Sequence, residues 1–85
     1  MVAYEPLAAI GSGQPAQLAV VQATIQKIRQ LYQPNQVLYG GSVTAENIAQ
    51  FLPIADGVLV GGAALKADSF IALLKKALDA VNYAV

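Results

Sequence analysis

Three short apolar segments alternate with three segments of helical period along this chain, and glycine-bearing turns follow the apolar ones. That alternation constrains the fold more than any other feature. Val2-Ala3-Tyr4, Val37-Leu38-Tyr39 and Gly57-Val58-Leu59-Val60 have strand length. The last is a continuous apolar run without polar alternation, the pattern of a parallel strand covered on both faces. The turns after them are Pro6 to Gly13 (PLAAIGSG), Gly40-Gly41-Ser42 and Gly61-Gly62-Ala63-Ala64. Strand, turn, helix and strand in that order require a parallel sheet with right-handed crossovers.

The helical segments carry their own signals. Leu18, Val21, Ile25, Ile28 and Tyr32 fall at three- and four-residue steps and form one apolar stripe. Pro15 suits the first turn of that helix, and Gln33-Pro34-Asn35 ends it. Thr44 is the expected N-cap of a second helix, with Glu46 in its first turn and Pro53 stopping it after about Phe51. A last helix is expected from Asp68 or Ser69, with Asp68 as a cap. Phe70, Leu73, Leu74, Ala77, Leu78 and Val81 mark its inner face. The three units span residues 1–36, 37–55 and 56–85.

Three strands cannot close a barrel, which needs about eight. They leave two open edges, and an uncovered apolar edge invites pairing. The chain is either a small open three-stranded α/β sheet or a segment of a larger barrel, and the pattern favours the segment. Composition agrees: 56% of the 85 residues are apolar and only 12% are charged. That excess reads as surface to be covered by other chain segments or subunits.

Composition also excludes several functions. Net charge is zero, and Lys27, Arg29, Lys66, Lys75 and Lys76 form no stripe, so no nucleic acid is expected as a partner. The sequence contains neither cysteine nor histidine, which excludes disulfides and thiolate sites and argues against any metal site. No cofactor is expected. Met1 is followed by no basic leader and no apolar run of membrane length, so no membrane partner is expected and the expected compartment is the cytoplasm.

Glu5 follows the first strand, at the same strand ends as the glycine turns. One carboxylate among three backbone-rich turns describes a site for a small phosphate ester and a proton abstraction. A carboxylate titrates near 4, so a base needs an apolar setting; Pro6, Leu7 and Ile10 could supply it on loop closure. Gly11 and Gly13 let backbone N–H groups approach a phosphate closely. The plain alternatives are a surface glutamate, a flexible GSG connector, and double glycines that only turn the chain. Asp56 lies at the opposite strand end and is given no chemistry. Tyr32 and Tyr83 read as structural, and Lys66, Lys75 and Lys76 as a solvated face.

Three segments then resemble one family in order and spacing. Tyr4-Glu5-Pro6 with Ala9-Ile10-Gly11-Ser12-Gly13 is similar to the catalytic loop of the triosephosphate isomerase family. Tyr39-Gly40-Gly41-Ser42-Val43 resembles its seventh strand and turn, and Asp56 to Leu65 its eighth. The resemblance implies a partial (β/α)₈ barrel of the TIM type, α/β, with three parallel βα units equivalent to strands six to eight. It implies interconversion of dihydroxyacetone phosphate and glyceraldehyde 3-phosphate, with Glu5 as the catalytic base. It implies that Gly11, Ser42, Gly61 and Gly62 bind the substrate phosphate. Ser42 and Tyr39 would latch a lid, Pro6 to Ala16, by hydrogen bonds near Gly13 and Ala16. The family's lysine, histidine and asparagine belong to the first five units, so the chain alone is expected to be inactive.

Two departures fall in the lid hinges. Ala8 stands where the family usually has tryptophan, and Gln14-Pro15-Ala16 where it usually has a Lys-Thr-Ala type of hinge. A buried tryptophan lost there removes packing worth about 3–5 kcal/mol. The expected partners are a triose phosphate or similar anion, and a second copy or the missing barrel half. Two alternatives stand beside the isomerase: a non-catalytic phosphate-binding module, and an excised or engineered barrel fragment that self-associates. The start of the sequence directly on a strand, the short Gln33–Gln36 connector and the low charge are the features that favour the fragment. Other phosphate-binding barrels share the double-glycine turns but not Tyr-Glu-Pro with the IGSG loop.

Overall fold

A computed structural model describes the backbone of residues 1–83 and side chains as far as residue 81. The expected structural role of the Tyr83 side chain lies outside the described residues. Three parallel strands, β1 (Val2–Tyr4), β2 (Val37–Gly40) and β3 (Gly57–Leu59), form one open sheet in the order β1-β2-β3. Val2 pairs with Val37, and Tyr4, Tyr39 and Val58 form one row across the sheet. Between and after the strands come α1 (Leu18–Tyr32), α2 (Ile48–Phe51) and α3 (Ala67–Tyr83). A short 3₁₀ turn, Gly62–Ala64, links β3 to α3. The architecture is that of a partial α/β barrel, and the parallel sheet is the one the alternation of segments requires. No helix among the described residues is long and apolar enough to cross a membrane.

All three helices pack on one face of the sheet. Val37 and Tyr39 share that face by strand alternation. They join one buried cluster with Val21 and Ile25 of α1, Ile48 and Phe51 of α2, and Leu73 of α3. Tyr39 and Phe51 stack with ring centroids 4.2 Å apart, and Tyr4 meets Tyr39 edge-on at 6.4 Å. The expectation of cover on both faces is corrected here. The opposite face carries Ala3, Leu38 and Leu59, of which Ala3 and Leu59 are exposed. Three strands with helices on one side have nothing to lay over the other.

The helix faces are corrected in the same way. On α1 only Val21 and Ile25 are fully buried, and Tyr32 at the far end of the stripe is 73% exposed. Among the described side chains of α3 Leu73 alone is buried, while Phe70, Leu74, Leu78 and Val81 stand exposed. Periodicity located those faces, but the sheet is too narrow to cover them.

Three local signals act differently from their expected form. Pro15 lies before α1, whose N-cap is Gln17, so it stiffens the approach and not the first turn. Thr44 does not cap with its hydroxyl: α2 starts at Ile48 after a turn, and the Thr44 N–H donates to Asn47 Oδ1 at 2.9 Å. Asp68 is inside the first turn of α3, where its charge favours the helix dipole without capping. Ser69 ties that start down, its hydroxyl lying 2.6 Å from the Ala63 carbonyl. The end of α1 follows expectation. Gln33 takes the left-handed conformation (φ 46°) and its N–H returns to the Arg29 carbonyl at 3.1 Å.

Far from the glycine turns, Asp56 precedes β3 and holds two elements. Its Oδ2 accepts the Val37 N–H at 2.8 Å and meets Arg29 of α1 at 3.2 Å. Its own N–H donates to the Val37 carbonyl at 2.8 Å. The role is structural, at the end of the sheet where no chemistry was expected.

Candidate functional site

The carboxyl ends of the three strands border one cavity of about 660 Å³. Glu5, Gly11, Gly13, Ser42, Gly61 and Gly62 all line it. Parallel pairing explains the convergence, because it sends every strand out of the sheet at the same end. No lysine or arginine lines the cavity. An anion held there would depend on backbone N–H groups and hydroxyls.

Glu5 lies across β2 from Leu59, with Gly40 between them. A Cβ on Gly40 would lie 3.2 Å from both Glu5 Cγ and Leu59 Cβ, and 3.4 Å from Glu5 Oε1. The absent side chain at position 40 therefore makes room for the carboxylate. The apolar shield expected around Glu5 is not formed. Glu5 is exposed, Leu7 is 91% exposed and Ile10 is also open to solvent.

The loop from Pro6 to Ala16 is pinned at two points. Near its start, Ala9 is buried and its carbonyl accepts the Ser42 hydroxyl at 2.7 Å. At its end, the Ala16 N–H donates to the Tyr39 hydroxyl at 3.1 Å, and that hydroxyl donates to the Gly41 carbonyl at 2.9 Å. The Tyr39–Ala16 contact joins two of the residues named for a latch. Ser42 differs: it grips Ala9 and not the backbone near Gly13. Gly11 and Gly13 both take positive φ, 67° and 77°. Between them Ser12 ties the tip to itself, its oxygen 2.8 Å from the Gln14 carbonyl and accepting the Gln14 N–H at 3.1 Å. Ala8, at the hinge where the family usually has tryptophan, is exposed.

At Gly41 the turn leaves no room for a side chain against the loop. A Cβ there would lie 2.8 Å from both Ala9 Cβ and the Tyr39 hydroxyl. One residue of this turn that sequence reasoning did not single out is Asn47, which bonds to both Ser42 and Thr44. Its signal was an amide side chain three residues after a candidate cap, the spacing of a capping box.

The family model for triosephosphate isomerase matches residues 1–77. The chain belongs to the triosephosphate isomerase family. Individual relatives agree. It is 45% identical over 85 residues to the triosephosphate isomerase of Streptococcus mutans, a match covering 87% of this chain and 34% of that protein. With the Mesomycoplasma hyorhinis enzyme it shares 53% identity over 77 residues, 87% of this chain and 32% of the relative. With that of Psychrobacter cryohalolentis it shares 46% over 82 residues, 86% of this chain and 30% of the relative. The chain spans about a third of the length of the curated relatives it matches.

Proposed function

We propose that this chain is the part of a triosephosphate isomerase that carries the base, the lid and the phosphate cradle. It corresponds to barrel units six to eight and acts in the cytoplasm on the interconversion of dihydroxyacetone phosphate and glyceraldehyde 3-phosphate. Glu5 takes a proton from the carbon beside the substrate carbonyl and returns it to the neighbouring carbon. The substrate passes through an enediolate, and no atom is gained or lost. Gly11, Ser42, Gly61 and Gly62 hold the phosphate. Gly13, Ala16 and Tyr39 govern the lid. The observation that carries this reading is the convergence of Glu5 and the three glycine turns on one cavity, in a chain of this family.

The 85 residues alone are proposed to bind phosphate without isomerising it. Two observations support that. The chain has no histidine, and no cation lines the cavity to stabilise an enediolate. Glu5 is also exposed, without the water-poor setting that strengthens a carboxylate base. A coupled isomerase assay on the purified chain is expected to give no turnover above the uncatalysed rate. Near-enzyme rates would overturn the reading. Titration with 2-phosphoglycolate is expected to move the amide signals of Gly11, Gly61 and Gly62; no movement at millimolar ligand removes the phosphate cradle.

The exposed surface supports the partner. An ordinary 8.8 kDa folded monomer exposes roughly 4,800 Å². This chain exposes 5746 Å². The surplus of roughly 1,000 Å² is comparable to one side of a standard protein interface, about 800 Å². Its proposed cover is the other barrel units. Sedimentation of the 85-residue chain with and without a chain supplying units one to five tests this. A mixed species is expected, and self-association that persists in the mixture would assign the surface to a second copy.

A further inference from the structure

We propose that Asn47 is the positioning residue of the cradle turn, whose carboxamide holds Ser42 in the conformation from which its hydroxyl reaches the lid. Only two non-glycine residues among those described have positive φ, Gln33 and Ser42. Gln33 ends a helix, where that conformation closes a cap. Ser42 (φ 52°) ends no helix, and a residue with a side chain resists that region. Something must hold it there.

Asn47 does so from both ends of the turn. Its Nδ2 donates to the Ser42 carbonyl at 2.9 Å, and its Oδ1 accepts the Thr44 N–H at 2.9 Å. Val43, between the two gripped residues, is buried. On the other side, the Gly41 carbonyl is fixed by the Tyr39 hydroxyl. Ser42 is therefore clamped before and after, and from that position its hydroxyl donates to the Ala9 carbonyl at 2.7 Å. Asn47 itself does not line the cavity, so it acts through Ser42.

The orientation of the amide follows from its partners. A backbone N–H can only donate and a carbonyl can only accept, so one end must be oxygen and the other NH₂. A carboxylate could satisfy Thr44 but not Ser42. This separates positioning from simple capping, because aspartate near a helix start caps as well as asparagine.

The test compares Asn47→Asp and Asn47→Ala with the parent 85-residue chain by isotope-edited NMR, with 2-phosphoglycolate as the probe. The binding arm rests on the phosphate reading above; the conformational arm does not. In Asn47→Asp the Thr44 amide signal is expected to stay near the parent value, and the thermal midpoint to fall less than in Asn47→Ala. The Ser42 HN–Hα coupling and carbon shifts are expected to leave the left-handed range. Phosphoglycolate binding is expected to weaken about fivefold to tenfold, as for one lost hydrogen bond. Asn47→Ala is expected to lose both contacts and some stability; if it does not fold, the aspartate variant decides. Unchanged Ser42 signals in Asn47→Asp overturn the proposal. If the parent binds no phosphoglycolate, the phosphate reading fails and the Ser42 signals still decide the role of Asn47.

Discussion

The middle of the chain and its last helix both carry apolar patterns, yet they are buried very differently. From Val37 to Ala55, the residues Val37, Tyr39, Val43, Ile48, Phe51 and Ala55 are all buried. On α3, one residue of six on the apolar face reaches that state. Position explains the contrast. The middle unit has a strand on each side and helices from both neighbours over it. The helix α3 packs against α2 and the short 3₁₀ turn at the edge of the sheet, and has a helix neighbour on one side only. An apolar period therefore records what a segment is prepared to bury, and the burial achieved depends on how much sheet stands beneath it.

The strongest challenge to this comparison is Phe51→Ala. Phe51 is 1% exposed and stacks on Tyr39. Its loss should cost about 3–5 kcal/mol. A domain this size has roughly 4–13 kcal/mol in all, so the variant should lose a large share of its stability. Circular dichroism and urea titration measure this. A loss below about 1 kcal/mol would mean that the middle unit is no better supported than α3.

Gly41→Ala asks the same question of the site. The added methyl meets Ala9 and the Tyr39 hydroxyl, neither of which can swing aside. The expected cost is about 1–3 kcal/mol, with the Ala9 and Ala16 amide signals shifting as the loop loses its anchors. Wild-type stability with an unchanged loop spectrum would show that the loop is not held by the turn.

Strand positions, helix existence and the site end of the sheet were legible because they depend on local pattern. Val2–Tyr4 and Val37–Tyr39 read as strands from apolar type and flanking turns, and parallel pairing then forced Glu5, Ser42 and Gly61 to one end. The partner of the Ser42 hydroxyl was not legible. It depends on where Ala9 comes to rest, 33 residues away in sequence. The exposure of Glu5 was equally hidden, since the shielding power of Leu7 and Ile10 depends on loop placement and not on residue type. Asn47 could have been found from its spacing after Thr44, although its second bond, to Ser42, could not.

The end of the sheet remote from the site gives a smaller test. Asp56→Ala removes the acceptor for the Val37 N–H and the partner of Arg29. The ion pair is partly exposed and worth at most about 1 kcal/mol, and the backbone bond adds a similar amount. Arg29→Ala removes only the ion pair and should cost less than Asp56→Ala. Equal losses in denaturant titrations of the two variants would mean that the Val37 bond contributes nothing.

The smallest expected effect is the sharpest probe of the edge helix. Leu78 is on the apolar face of α3 but is 61% exposed. Leu78→Glu should change the stability of the isolated chain by less than about 0.5 kcal/mol, as surface substitutions do. If that face is prepared for other barrel units, the same substitution should sharply weaken association with a chain supplying them, because it buries an unpaired charge. Stability and association must therefore separate in this one variant. A large loss of stability in the isolated chain would place Leu78 in its own core, and the contrast between the middle unit and α3 would no longer hold.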